Sequence, residues 1–315
     1  METSLPLVSI ITPSYNQGCF IEETILSVKN QSYSNIEHIV IDGGSSDETV
    51  KILKKYTPQI KWISEPDNGQ THAINKGLHR CNGKYIAYLN SDDLYLPETI
   101  KTVVDFFSSH PDIDLVYGDI IHIDKKSHLI NKYEPGIIDF EKYLSMPTYL
   151  PQPTVFFRRR VLEQTGDFDE KLHLAMDLDY WLRVFLVFNV AYIPEFLAQA
   201  RMYSETKSQS VNFKYLDERL YILDKIFQNP EMFNHHPEIQ KNFENVKKKS
   251  YASVHFCGGL VFLRYRKFRE AYHHIKIGMS LNPALVRPRY FYWNVFVAII
   301  GINNSQKIKQ ILKIA

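Results

Sequence analysis

Four short apolar runs, separated by stretches of helical character, constrain this 315-residue chain more than any other feature. They are Val8-Ser9-Ile10-Ile11-Thr12, Ile36-Glu37-His38-Ile39-Val40-Ile41, Ile60-Lys61-Trp62-Ile63 and Tyr85-Ile86-Ala87-Tyr88-Leu89. Each is rich in β-branched or aromatic residues and bounded by turn residues, the pattern of a buried strand. The intervening residues 20–30, 47–56 and 71–80 have the length and periodicity of helices. Strand, helix, strand in repetition predicts a parallel sheet with right-handed crossovers. Ligands of such sheets bind beyond the carboxyl ends of the strands, so the residues just after each run carry the functional information.

Those exits form a set: Thr12-Pro13-Ser14-Tyr15-Asn16, Asp42-Gly43-Gly44-Ser45-Ser46-Asp47, Glu65-Pro66-Asp67-Asn68-Gly69-Gln70 and Asn90-Ser91-Asp92-Asp93. All carry hydroxyl, amide or carboxylate groups, and the glycines of the second and third let a ligand approach the backbone. Convergence of this kind favours a nucleotide site. Neither GxGxxG nor GxxxxGK[ST] follows the first strand, which argues against a dinucleotide dehydrogenase or a P-loop enzyme. The Asn90–Asp93 step is the most specific of the four. Mg²⁺ is commonly held by one or two carboxylates together with substrate phosphates, so adjacent acids at a strand exit can suffice. Taken alone the same run suits a helix-capping turn, and Asp42 alone suits an Asx turn.

Composition narrows the class. At 44% hydrophobic and 23% charged the chain is globular, with room for one large or two modest domains. Cys19, Cys81 and Cys257 form neither a CxxC pair nor a metal-spaced set, and no basic n-region precedes the apolar stretch at 7–12. A reduced, cytoplasmic setting is the expectation. The net charge of +2 conceals a division: residues 241–315 hold fourteen Lys and Arg against Glu244 and Glu270 alone, leaving the first 240 residues acidic. Basic side chains interleaved with aromatics at 264–269 and 287–293 suit an anionic membrane surface. Charge alone does not separate that surface from nucleic acid.

A second carboxylate centre lies near Asp177. Leu174, Leu178, Trp181, Leu182 and Phe185 define a helix with one apolar stripe. At about 100° per residue Asp177 and Asp179 project roughly 200° apart, so only one can face a cleft. Asp179 stands four residues before Arg183, the spacing of a helix ion pair.

These motifs together resemble the family 2 glycosyltransferases of GT-A fold. The resemblance runs through the four strand exits, the segment SEPDNGQTHAINKG at 64–77, Gln152-Pro153-Thr154-Val155-Phe156-Phe157-Arg158, Gly166-Asp167-Phe168-Asp169-Glu170 and Asp177-Leu178-Asp179-Tyr180-Trp181-Leu182-Arg183, in order over roughly residues 5–210. It implies an α/β, Rossmann-like, mostly parallel sheet flanked by helices, forming a catalytic domain at 1–210, with a helical, basic region at 211–315. Carried over, Thr12, Pro13, Tyr15 and Asn16 line the nucleoside, and Asp42 accepts from the N3–H of a uracil or thymine ring. Asp67, Gly69 and Lys76 belong to a second sugar-nucleotide segment, with Lys76 divided between a phosphate contact and a solvated helix surface. Asp92 faces ribose or sugar and Asp93 a divalent metal, Mg²⁺ or Mn²⁺. Asp177 is the expected general base and Asp179 structural. Met176 stands where the family usually has Glu, and Tyr203 near the position of a His that often completes the metal site.

The implied reaction is transfer with inversion from a nucleoside-diphosphate sugar, UDP- or dTDP-linked, to a saccharide or lipid-linked hydroxyl. Surface polysaccharide synthesis at the inner face of the cell membrane is the setting implied, and nucleic acid is not an expected partner. Residues 120–150 follow no pattern that translates into an acceptor. In the tail, 251–283 resembles one helix-turn-helix unit of tetratricopeptide type, with Pro230, Pro237 and Pro283 read as helix stops. The apolar stretch 290–302, flanked by Arg287, Arg289, Lys307, Lys309 and Lys313, falls short of the roughly 20 residues of a spanning helix. It divides between a core helix and a peripheral membrane contact. A sugar-nucleotide nucleotidyltransferase and a non-catalytic nucleotide-sugar or nucleic-acid binder are the competing classes.

Overall fold

The structure is a computed structural model that describes residues 5–145, 149–203, 213–286 and 298. It divides into two compact units, one of residues 1–138 with 149–211 and one of 139–148 with 212–315.

In the first unit the expected alternation is present: β1 (Val8–Ser14), α1 (Ile21–Lys29), β2 (Ile36–Asp42), α2 (Thr49–Lys55), β3 (Lys61–Ser64), α3 (Gln70–Leu78) and β4 (Tyr85–Tyr88). β5 (Leu94–Tyr95), α4 (Thr99–Ser109), β6 (Leu115–Ile123) and β7 (Leu129–Tyr133) follow. After α5 (Phe140–Ser145), which belongs to the second unit, come β8 (Phe156–Arg158), α6 (Arg159–Thr165), α7 (Met176–Phe185) and β9 (Val190–Arg201). The strands make one sheet in the order β3-β2-β1-β4-β8-β6-β9-β5, with β7 added to β6.

Parallel ladders join β1 to β2 and β4, β2 to β3, and β6 to β9. The antiparallel pairings β4–β8, β5–β9 and β6–β8 span two residue pairs each, and β6–β7 spans four. β1 is buried along its whole length because both faces are covered. On one side Ile10, Ala87, Val103, Phe107 and Phe156 pack together; Ile21, Ile25, Val40, Leu53 and Ile60 form a separate cluster. Gly118 marks a break in the β6–β9 register, where a β-carbon would press on the Leu197 side chain and the Glu195 carbonyl. In-register pairing places Ser14, Asp42 and Ser64 side by side at the ends of β1, β2 and β3. The sheet thus gathers three of the four exits at one edge.

The second unit contains α5, α8 (Lys214–Ile226), α9 (Pro237–Lys241), α10 (Phe243–Arg264) and α11 (Phe268–Leu281). The helical pattern at 241–282, with its tetratricopeptide-like pair at 251–283, is α10 and α11, and α10 starts at Phe243, ahead of the repeat-like segment. Adjacent glycines serve two neighbours: a β-carbon at Gly258 would strike Leu216 of α8, and one at Gly259 would strike Ile275 of α11. α8 ends at Ile226 before Pro230 and α11 at Leu281 before Pro283, as expected of helix stops, and Pro230, Pro237 and Pro283 each also open a short helix of their own. Proline's missing N–H is harmless in the first turn. Among the described residues no helix is long and apolar enough to cross a membrane. The stretch 290–302 and its flanking basic residues lie, apart from 298, outside the described residues.

Candidate active site

The β2 exit is closed on itself. Asp42 is fully buried and its carboxylate accepts from the Ser45 N–H (2.9 Å), the Ser45 hydroxyl (2.5 Å) and the Ser64 hydroxyl (2.6 Å). Ser45 in turn accepts from the Asn16 N–H, and the Asn16 carbonyl oxygen accepts from the Ser46 N–H at 2.9 Å. Asn16 holds φ at 52°, a left-handed conformation that asparagine tolerates well. The β3 exit folds onto the same turn: Asp67 accepts from the Gly69 N–H at 2.8 Å, and its other oxygen lies where a Gly43 β-carbon would collide. Thr12, Pro13, Asn16, Asp42, Asp67 and Gly69 are therefore held in one framework of strand ends.

Exposure separates these residues. Tyr15 is 62% exposed and Asn16 is exposed, so both face solvent beyond β1. Thr12 is fully buried and its hydroxyl shares a 2.8 Å hydrogen bond with His38 within the sheet; Pro13 is buried beside it. Lys76 pairs with Glu65 at 2.8 Å and is only 17% exposed, so it is neither solvated nor unpaired. Its ammonium holds the Glu65 carboxyl below the ordinary range.

The β4 exit is built differently. Asp93 accepts from the Arg201 N–H (2.9 Å) and the Asn90 amide (3.1 Å), while Asp92 accepts from the Tyr203 hydroxyl (2.9 Å). Gln70 at the start of α3 donates to Asn90, and Asn90 donates to Gln152. Burial pushes the Asp93 carboxyl well above the usual carboxylate range, and the neighbouring Asp92 adds to it. Burial also raises Asp92, against the lowering effect of Tyr203. Two adjacent acids thus carry more negative charge than their surroundings balance.

A divalent cation would answer that imbalance, and the oxygen donors suit Mg²⁺ or Mn²⁺. Among the described residues no group of three His, Cys, Asp or Glu side chains is arranged to hold a metal. A cation at Asp92 and Asp93 would therefore depend on ligand oxygens and water for its other positions.

Arg201 organises this turn and carries no signature in the sequence. Nearly inaccessible, it donates its backbone N–H to Asp93, its Nε to the Asp92 carbonyl, and pairs with Glu23 at 2.8 Å. Tyr203, placed by sequence near a usual His position, reaches the acid pair directly.

On α7, Asp177 and Asp179 occupy different environments. Asp179 is fully buried and bound to Arg183 at 2.9 Å, and Arg183 also donates to the Thr165 and Asp167 carbonyls. Asp177 is partly exposed in the first turn and accepts from the Leu178 N–H. The Tyr149 phenol is driven above its ordinary range by burial first, with the charges of Asp93 and Asp177 adding to it, although 43% of the residue remains exposed. Tyr149 also packs against Tyr133 and His122, with ring centroids 5.5 and 6.2 Å away. These aromatics come from a stretch whose sequence is uninformative; only tertiary contact assembles them.

Comparison with known proteins agrees with this architecture. The model of the Glycosyl transferase family 2 matches residues 9–166. An uncharacterized glycosyltransferase of Rickettsia prowazekii is 31% identical over 215 residues, covering 66% of this chain and 68% of the relative. The Staphylococcus aureus protein TarS in complex with UDP-GlcNAc superposes with a TM-score of 0.56 at 17% identity, covering 88% of this chain and 90% of that one. The mannosyltransferase PcManGT of Pyrobaculum calidifontis, bound to GDP-Man and Mn²⁺, gives 0.56 at 16% identity, covering 99% and 89%. At such identity the two structures speak to the GT-A type of fold alone. With its mixed sheet, its ordered strand exits and a family match over half its length, the chain belongs to glycosyl transferase family 2.

Proposed function

We propose that the protein is an inverting, metal-dependent glycosyltransferase that moves a sugar from a nucleoside-diphosphate donor to a hydroxyl of a saccharide or lipid-linked acceptor. The observation that carries the reading is the acid pair Asp92–Asp93 at the β4 exit, in a chain of glycosyl transferase family 2. A displacement needs a base on one side and stabilisation of the leaving group on the other, roles that fall to Asp177 of α7 and to Asp93.

Tyr15 and Asn16 flank the base of the donor. Asp42 has used three of about four acceptor positions, so the Ser45 hydroxyl turns aside for an N3–H to reach it. Asp67 and Gly69 shape the wall beside it, and Lys76 exchanges Glu65 for a donor phosphate. Asp93, with Asp92, would hold a divalent ion, which when bound supplies Lewis-acid stabilisation of the diphosphate leaving group. Asn90 and the Arg201 N–H keep the Asp93 carboxylate oriented. Asp177 takes the acceptor proton, and Asp179 with Arg183 fixes the helix that presents it. A setting at a membrane surface, in polysaccharide assembly, is supported by the basic tail.

The test is incubation of the full chain with UDP-, dTDP- and GDP-sugars, Mg²⁺ or Mn²⁺, and saccharide or lipid-extract acceptors. Release of nucleoside diphosphate with labelled acceptor is the expected result. Pyrophosphate would instead identify a nucleotidyltransferase, and binding without turnover a non-catalytic protein. Asp177→Asn keeps donor binding and loses transfer; undiminished transfer would remove the base assignment.

A further inference from the structure

The second unit holds a feature that the transfer reaction does not use. Between α8 and α10 lies a cavity of about 260 Å³ lined by Leu216, Arg219, Val254, Cys257, Val261 and Phe262 among others. Its wall is almost wholly apolar apart from Arg219, which is 8% exposed. The Arg219 Nε is buried without a hydrogen-bond partner. A buried N–H without an acceptor is costly, because burial removes hydration and nothing replaces it. The guanidinium as a whole presents a planar fork suited to a carboxylate or phosphate.

Shape limits the occupant. Gly258 lets Leu216 of α8 approach α10 closely and so closes one end of the space. Dry apolar cavities of about 150 Å³ hold a benzene ring, so a space of about 260 Å³ has room for an alkyl segment of several carbons. Val261 and Tyr215, 43% and 41% exposed, border the opening.

We infer that this cavity binds a single-chain amphiphile with an anionic head, its alkyl chain among Leu216, Val254 and Phe262 and its carboxylate or phosphate on Arg219. The inference does not depend on the proposed transfer activity, since none of these residues belongs to the strand-exit site.

Calorimetry on the full chain with dodecyl phosphate, dodecanoate, dodecanol and inorganic phosphate, each alkyl probe below its micelle concentration, tests it. Either anionic amphiphile should bind at least about tenfold more tightly than dodecanol, the factor expected of a charge-assisted hydrogen bond. The two anions separate a carboxylate head from a phosphate head, and inorganic phosphate alone should give no comparable binding. Arg219→Met, which keeps the apolar stem, should weaken binding by at least about tenfold, and Arg219→Lys should retain part of it. A readout without substitution comes from Cys257, which lines the cavity: occupancy should slow its alkylation, followed by mass spectrometry, while exposed Cys19 is unaffected. Equal affinity for dodecanol, unchanged affinity in Arg219→Met, or inorganic phosphate binding as tightly as the amphiphile would overturn the proposal. So would absence of binding by both anions with Cys257 already protected, because the chain itself would then fill the space.

Discussion

The exits of β2 and β4 both end in carboxylates, yet they are opposite solutions to the same problem. At β2 the charge of Asp42 is met by three donors from its own turn and from β3. At β4 two acids are buried together, with too few donors to hold both ionised without cost. A carboxylate largely satisfied by the fold holds its turn in shape and keeps about one acceptor position for a ligand. A pair left under-compensated is a place where a ligand's charge lowers the energy, and such perturbed groups gather at functional sites. Under the proposed function, β4 is the reactive end of the framework and β2 its frame.

The strongest way to break this comparison is through turnover. Asp93→Asn and Asp177→Asn should each lower kcat by about 10²–10⁴-fold, while Asp177→Asn leaves donor affinity within about threefold. Equal loss of transfer in Asp42→Asn, with folding intact, would erase the distinction between frame and reactive end.

Next in size is acid sensitivity on the β2 side. Burial depresses the His38 pKa from 6.5 to about 4, so the folded protein keeps the imidazole neutral while the unfolded chain protonates it. Stability is then fully present above about pH 6.5 and falls as pH drops toward 4, by about 3 kcal/mol for this group. Denaturant titrations across that window should flatten in His38→Gln, compared through their slope with pH rather than their absolute stability.

A smaller difference concerns the two carboxylates themselves. Asp42→Asn removes the charge that three donors serve and should destabilise the fold by about 2 kcal/mol. Urea midpoints at neutral pH check this.

The smallest effect has the opposite sign. Asp92→Asn retains an acceptor for the Tyr203 hydroxyl while removing the like charge beside Asp93, and should stabilise the ligand-free protein by about 1 kcal/mol. Because both acids titrate above the ordinary 3.8, the wild-type fold retains protons that the unfolded chain releases. Its stability therefore declines as pH rises from about 4 through the raised values. The gain from Asp92→Asn, and the rise in Tm on adding Mg²⁺ or Mn²⁺, should both be larger at pH 7.5 than at pH 5.

Much of the frame is legible in the amino-acid order, because the runs of β1, β2 and β4 are enclosed by the sheet and its helices and so show as β-branched and aromatic blocks; the third run, expected to be buried as well, is instead the edge strand β3, whose residues 61–64 are exposed or half-buried. Their exits are legible for the same reason, since a polar residue directly after such a block has only one place to go. Asp179 is separable from Asp177 because helical geometry alone sets them on different sides and gives Asp179 an arginine one turn later. Arg201 is not legible, since its backbone donates across 108 positions to Asp93 and no local pattern records such a bond. Tyr149, Tyr133 and His122 escape sequence reasoning likewise, coming from separate segments with no shared period. The prolines mark the ends of α8 and α11, but the short helices that open at 230 and 237 leave no such mark, because proline is equally at home in a first turn.

The reach of Arg201 has a consequence for biogenesis. β1, β2 and β4 pair within the first 88 residues, yet Asp93 receives the Arg201 N–H only once the end of β9 is in place. A polypeptide ending before 201 would keep those ladders and leave the Asp93 carboxylate with the Asn90 amide as its donor among the described residues.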